Sequence, residues 1–234
     1  MKNIIAIVLM CIMVLSILTS CDFFEYAIWD NSNISGEKIT ANKFWYAFDE
    51  YASQYENEMP KKWKMVIAEG RDTANYSVIE EEDKIIAHIK TYSLSRWDII
   101  QNETLTTLIN NSGEKEYSIY EIQNMEENLY DGFVNKFKEY FDLFAELEVD
   151  VLACKMITYT LDKQEDTLVY SLSAIDEGER ITASFTVING ELIYTSVNFE
   201  GWASIRFTFG EKVPNIIVPS LDEYTFVEDL LVEQ

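Results

Sequence analysis

The sequence predicts an α+β fold in which two aromatic-rich helices cover one face of an antiparallel sheet. Two segments carry apolar residues at intervals of three and four, which is the period of a helix, and each is followed by segments with a period of two. The segments of period two are short and are separated by turn residues, so neighbouring strands must pair antiparallel. The regular alternation of strand and helix that builds a parallel sheet does not occur.

The first helix is predicted from Thr40, a suitable N-cap, to about Glu56. Its apolar residues at helical spacing are Phe44, Phe48, Tyr51, Ala52 and Tyr55. Strands are then predicted at 63–67, 76–78 and 85–89, where apolar and polar residues alternate, with weaker ones at 104–109 and 116–122. These strands form one meander.

The second helix is predicted over 125–147, with Asn124 and Glu127 as a capping-box-like pair. One broad stripe contains Leu129, Tyr130, Phe133, Phe137, Tyr140, Phe141, Phe144 and Leu147. Such a stripe predicts a helix that covers an apolar surface.

A second meander is predicted after this helix. Its strands lie at 157–161, 168–172, 181–188, 191–198 and 205–209. Asn189-Gly190 separates the third and fourth of them, and this dipeptide suits the positive φ angles of a type I′ hairpin turn. We therefore expect 181–188 and 191–198 to pair.

The first residues resemble the lipobox signal of bacterial lipoproteins. An apolar run from Ile4 to Leu18 follows Lys2, and the run Leu18-Thr19-Ser20-Cys21 closes it. The resemblance implies cleavage between Ser20 and Cys21 and attachment of diacylglycerol to the Cys21 thiol. An uncleaved membrane anchor or an ordinary secretory signal are the alternatives, but an anchor needs about 20 apolar residues and this run is shorter.

Three parts of the chain follow from this interpretation. Residues 1–20 are the lipoprotein signal peptide, residues 21–38 are a lipidated tether, and residues 39–234 are a single α+β domain, a size that allows a real core. The protein is expected at the cell membrane, anchored by lipid and facing the extracytoplasmic side, in the periplasm or at the cell surface.

Charge and cysteine content restrict the partners. The chain has 41 acidic and 18 basic residues, a formal net charge of −23, which argues against nucleic acid as a partner because nucleic-acid binding depends on Lys and Arg. It also argues against a body that lies flat on anionic lipid. After loss of Cys11 with the signal and lipidation of Cys21, Cys154 remains alone, so no intramolecular disulfide can form.

No constellation of residues identifies a reaction, so we expect no enzyme activity, no cofactor and no metal. His88 is the only histidine, which leaves neither a histidine-rich zinc site nor more than one imidazole for a catalytic triad. It alternates with Ala87 and Ile89 and is expected to point away from the core. The acidic run from Glu80 to Asp83 lacks the spacing of a calcium loop and is interpreted as a solvated turn.

The order of elements and the closing run Phe207 to Pro219 (FTFGEKVPNIIVP) resemble the LolA/LppX-like family of lipoprotein and lipid carriers. The resemblance implies a curved, half-open antiparallel barrel with helices in its mouth and a hydrophobic cavity between them. The aromatic residues expected to line this cavity are Trp45, Phe48, Phe133, Phe137 and Phe141.

Two functions therefore stay open. The first is a membrane-anchored, non-enzymatic lipoprotein that binds a lipid or another hydrophobic ligand in an apolar cavity. The alternative is a protein-interaction or envelope-assembly accessory lipoprotein with a filled core and an acidic interaction surface. An aromatic stripe is compatible with both, because packed cores are built from the same residues.

Overall fold

The computed structural model describes residues 36–55, 59–122, 129–176, 178–201, 203–228 and 230. Within these ranges the helices of at least four residues are α1 (Ala41–Ala52) and α2 (Leu129–Val151). The strands are β1 (Glu37–Lys38), β2 (Lys62–Glu69), β3 (Asp72–Glu80), β4 (Lys84–Lys90), β5 (Leu94–Gln101), β6 (Thr104–Asn111), β7 (Glu114–Glu121), β8 (Lys155–Gln164), β9 (Thr167–Asp176), β10 (Glu179–Ile188), β11 (Glu191–Phe199), β12 (Ala203–Phe209) and β13 (Thr225–Phe226).

All strands belong to one open 13-stranded sheet in the order β1-β8-β9-β10-β11-β12-β2-β3-β4-β5-β6-β7-β13. Two meanders, β2 to β7 and β8 to β12, join where β12 pairs antiparallel with β2, with Ile205 opposite Ile67. The short strand β13 pairs parallel with β7 at one edge, and β1 pairs antiparallel with β8 at the other. The α+β class and the large antiparallel sheet are thus confirmed.

Both helices lie on the same face of the sheet, which is called the concave face below, and the opposite face is called the convex face. Thr40 caps α1 as predicted, because its Oγ1 accepts a hydrogen bond of 3.3 Å from the Lys43 backbone N–H. Phe44 of α1 contacts aromatic rings of the second meander, such as Phe185, with 5.2 Å between the ring centroids. Phe137 of α2 instead contacts Trp63 of β2, also with 5.2 Å between the ring centroids. The two helices therefore cover different parts of the same apolar face of the sheet.

The hairpin predicted at Asn189-Gly190 is present between β10 and β11. Asn189 has φ 53° and Gly190 φ 84°, and positive φ at both positions is what a type I′ turn requires. The second helix differs from the prediction at its C-terminal end. It continues to the fully buried Val151, because Val151 extends the apolar stripe beyond Leu147, while the predicted cap residues Asn124 and Glu127 lie outside the described residues.

Strand β5 was not predicted, and the reason is the chemistry of its inward side chains. Its concave-face residues include Arg96 and Asp98, which are opposite Ile89 and Ala87 of β4. A strand with charged residues on its buried face does not show the expected alternation of apolar and polar residues. The two charges are tolerated because they pair with each other.

The segment after β12 crosses the convex face of the sheet. Trp97 of β5 donates a hydrogen bond of 3.1 Å from Nε1 to the backbone carbonyl of Ile217. The chain then reaches the edge, where Phe226 pairs with Tyr117, and the Leu230 backbone N–H donates to the Tyr120 hydroxyl at 2.7 Å. The C-terminal segment therefore covers part of the convex face, and its strand β13 pairs with part of the edge strand β7.

Candidate functional site

The five residues predicted to line an apolar cavity are all buried on the concave face. Phe48, Phe137 and Phe141 form one cluster. The ring centroid of Phe141 lies 6.1 Å from that of Phe48 and 5.4 Å from that of Phe137, on which it stacks. Trp45 joins this cluster through Phe48 at 6.4 Å. Phe133 lies about one helical turn before Phe137, belongs to the same buried core and contacts Tyr76 of β3, with 6.4 Å between the ring centroids. The structure therefore brings all five residues into one buried core.

Helix α2 meets the sheet through aromatic rings. Besides Trp63, Phe137 contacts Phe207 at 5.7 Å, and Phe141 contacts Phe207 at 5.9 Å and Phe209 at 6.0 Å. The three contacts with Phe207 and Phe209 are edge-to-face, a geometry that contributes roughly 0.5–1.5 kcal/mol per pair beyond the burial of area. The helix is thus held here by contacts between aromatic rings.

Tyrosine side chains at this interface stay uncharged. The Tyr55 hydroxyl donates a hydrogen bond of 3.1 Å to the Leu192 carbonyl, and burial, with a smaller effect of Glu191, raises the pKa of Tyr55 to about 12. Burial also raises the pKa of Tyr76, with Glu139 adding to it. Because both phenols are protonated at neutral pH, they add polarity but no charge to the apolar space.

A buried ion pair lies farther along the concave face. The Arg96 Nε donates to both carboxylate oxygens of Asp98, at 3.2 and 3.0 Å, and the Thr107 hydroxyl donates to Asp98 at 2.7 Å. Burial raises the pKa of Asp98, while Arg96 and Thr107 oppose that rise. The only histidine, His88, is on the opposite face, so this carboxylate is not arranged with an imidazole for catalysis.

Sequence reasoning missed a polar cleft of about 850 Å³ on the convex face. It is lined by Lys64, Thr73, Asn75, Ser77, His88, Lys90, Thr91, Tyr92, Ser93, Leu94, Ser95, Asn110, Ser112 and Gly113. Most of the strand residues among them, such as Asn75, Ser77 and His88, occupy polar positions of strands whose apolar positions face the helices, and residues 91–93, 112 and 113 lie in the adjoining turns. The signal was therefore present in the sequence, but only the strand register shows that Lys64, Ser77 and His88 lie side by side.

The other residues considered from the sequence have plainer surroundings. His88 points to the convex face and stacks on Trp97 at 4.7 Å. Cys154 is partly buried, with its Sγ 3.7 Å from the Asp150 carbonyl oxygen. Within the described ranges, no three side chains of His, Cys, Asp or Glu are grouped to hold a metal ion. Ser20 and Cys21 lie outside these ranges.

No protein-family profile and no curated protein sequence matches this chain. In the part of the chain that the structure describes, neither helix has the length and apolar character needed to cross a membrane. A function must therefore be argued from the aromatic concave face, the convex cleft and the N-terminal sequence.

Proposed function

We propose that the protein is a lipid-anchored, non-enzymatic binding protein of the bacterial cell envelope. Its anchor is diacylglycerol on Cys21, in accordance with the lipobox-like run Leu18 to Cys21. It holds a lipid or another apolar ligand between the curved sheet and helix α2, as in the LolA/LppX-like family that the chain resembles. The aromatic interface between α2 and the sheet is the observation that carries this proposal.

This interface suits an apolar ligand because its ring contacts can be exchanged for contacts with an acyl chain. An acyl chain gains about 0.8 kcal/mol per buried methylene, so roughly ten methylenes outweigh several ring pairs at about 0.5–1.5 kcal/mol each. Phe137 and Phe141 supply those pairs on α2, and Trp63 supplies one on the sheet. Ligand binding then requires α2 to move away from the sheet.

A second candidate function is supported by two observations. The predicted lining residues of the described part of the chain pack against one another. In addition, Val149, Leu152 and Met156 expose 72%, 69% and 74% of their surface where α2 leads into β8, and clustered apolar residues on a surface are typical of a protein contact. An envelope protein is the partner in this alternative.

Quenching of tryptophan fluorescence by a brominated fatty acid tests the first function. Residues 22–234, expressed without the lipid anchor, contain every described residue and are titrated with 9,10-dibromostearate. If the ligand lies between α2 and the sheet, bromine reaches the fully buried Trp63. The Trp63→Phe variant should then lose a large part of the saturable quenching.

Trp97→Phe is the matched control, because Trp97 lies on the convex face. It should keep the quenching that Trp63→Phe loses. Equal quenching in the two variants, or none in the wild type, would contradict an interior ligand. Native mass spectrometry of the same protein, followed by solvent extraction, then identifies any lipid that is carried from the cell.

A further inference from the structure

The convex cleft concentrates positive charge in a strongly acidic protein. Lys64 and Lys90 line it, and Arg206 is on the neighbouring strand β12, two residues before Thr208, which is directly opposite Lys64. Among the described residues, none of these three basic side chains has a carboxylate within ion-pair distance, although the chain carries 41 acidic residues. Of the residues that the structure describes, no acidic one lines the cleft.

The register of the strands explains why these charges converge. Lys64 is opposite Ser77, Ser77 is opposite His88, and Lys90 is opposite Asn75. Side chains directly opposite and diagonal to each other on one face are neighbours. Lys90 lies two strands away from Lys64, at about 4.8 Å per strand, and two residues further along the strand direction. The Cα atoms of the two lysines are therefore roughly 12 Å apart. Two long side chains can span this distance and reach one ligand.

The electrostatic state of the cleft agrees with this geometry. Burial lowers the pKa of Lys64, and the charges of Lys90 and Arg206 lower it further. Burial likewise lowers the pKa of His88 to about 4, with Lys90 and Lys64 contributing. Unpaired like charges repel one another, and an anion placed between them would relieve that repulsion.

The remaining cleft wall offers hydrogen-bonding groups. Hydroxyl and amide side chains such as Ser77, Ser95 and Asn75 lie beside the lysines. His88 is fixed by its stack on Trp97, and its Nε2 is buried without a hydrogen-bond partner in the described part of the chain. A cleft of about 850 Å³ exceeds the needs of a single inorganic ion and is of the size that holds a small molecule.

We propose that this convex cleft binds a small, hydroxyl-bearing molecule through a phosphate group held by Lys64 and Lys90. The ammonium groups pair with the phosphate oxygens as point charges. The serine and asparagine side chains bind the polar remainder. This site is separate from the apolar interface of the concave face, because the two are on opposite sides of the sheet.

The lone histidine provides the measurement. In the full chain, purified without a histidine tag in a neutral detergent, His88 gives the single set of imidazole signals in NMR spectra. Glycerol 3-phosphate and inorganic phosphate are titrated at pH 7 and constant ionic strength, with glycerol as the uncharged control. We expect a saturable shift of the His88 signal with the phosphates and none with glycerol.

Lysine variants decide whether the cleft is responsible. The double variant Lys64→Gln/Lys90→Gln should weaken binding at least tenfold. Lys62→Gln should bind as the wild type does, because Lys62 is on the same strand and pairs with Glu211 at 3.4 Å outside the cleft. Unchanged binding in the double variant, or no saturable shift in the wild type with any phosphate probe, would overturn the proposal.

A phosphate group could come from a free metabolite or from a lipid headgroup. Dihexanoyl phosphatidylglycerol below its micelle concentration separates these sources, with dihexanoyl phosphatidylcholine as the zwitterionic control. Binding of glycerol 3-phosphate that the double variant abolishes supports a soluble ligand. Binding of phosphatidylglycerol alone, again lost in the double variant, supports the same phosphate site with a headgroup as its source.

Discussion

At the scale of single residues, Arg96 and Asp98 show how a buried charge is tolerated. Their side chains are 8% and 2% exposed, and taking two ions out of water costs more than their attraction returns unless hydrogen bonds satisfy them. Asp98 meets this condition by accepting bonds from both Arg96 and Thr107. The pair is therefore sensitive to the loss of either partner.

We predict that Arg96→Met destabilises the protein by about 3–5 kcal/mol, because it leaves the Asp98 carboxylate buried without its cation. Urea denaturation followed by circular dichroism measures this change. The double variant Arg96→Met/Asp98→Leu should recover most of the loss, since apolar side chains of similar volume can replace a buried pair. A single variant as stable as the wild type would show that the pair is not energetically coupled.

His88 gives a prediction with a defined pH range. Its pKa falls from 6.5 to about 4 in the folded protein, so between these values the unfolded chain binds a proton that the folded protein does not. Stability therefore decreases as pH falls from about 6.5 to 4. Because the imidazole is only partly buried, we expect a contribution of about 1–2 kcal/mol rather than the full value of the shift.

The measurement compares urea unfolding of the wild type and His88→Gln at pH 7 and at pH 4.5. Carboxylates contribute equally to the pH dependence of stability in both proteins. The difference between the stability losses of the wild type and the variant on acidification is therefore due to His88. The wild type should lose more stability on acidification than the variant. Identical losses would place the His88 pKa near its ordinary value in the folded state.

At the scale of elements, the β10–β11 hairpin and helix α2 place different demands on glycine. Gly190 has φ 84° in the hairpin turn, where a side chain is strained. Gly132 is exposed within α2, and a Cβ there would meet nothing within 4 Å. Replacing glycine by alanine should therefore lower the stability of the fold at Gly190 and raise it at Gly132.

We predict that Gly190→Ala destabilises the protein by about 1–2 kcal/mol and that Gly132→Ala stabilises it by about 0.5–1 kcal/mol. Thermal denaturation of both variants tests the pair. Gly190→Val should be more destabilising than Gly190→Ala, because a β-branched side chain tolerates positive φ least. Unchanged stability on replacing Gly190 would contradict the turn geometry.

Strand β5 marks the limit of prediction at this scale. Most strands were predicted because apolar residues alternate with polar ones, and the hairpin was predicted because Asn-Gly favours one turn type. The alternation fails in β5, where Arg96 and Asp98 occupy inward positions. The two residues are near each other along β5, but their burial and the hydrogen bond from Thr107 of β6 exist only in the folded sheet.

At the scale of the whole molecule, the proposed anchor residue lies in the sequence before the residues that the structure describes. Cys21 belongs to the signal-like N-terminal segment, whereas Cys154 is in the domain after α2. A lipid anchor on Cys21 would hold the acidic domain near a membrane without requiring it to lie on the surface.

We predict that Cys21→Ala abolishes incorporation of labelled palmitate, because the proposed acceptor thiol is lost. Metabolic labelling followed by purification measures the incorporation. Cys154→Ala is the matched control and should keep the label, since its thiol is partly buried in the folded domain. A Cys21→Ala protein that remains acylated would overturn the lipobox interpretation.

The sequence by itself determined the α+β class, both aromatic helices and the antiparallel meanders, because these follow from local periodicity, caps and turn residues. Only the tertiary structure decided which strands become neighbours across the molecule. The pairing of β12 with β2 joins the two meanders, and the crossing of the C-terminal segment brings Ile217 onto Trp97. The row of Lys64, Ser77 and His88 likewise exists only in the assembled register. Such contacts depend on the burial of apolar faces by distant segments, which no local pattern specifies.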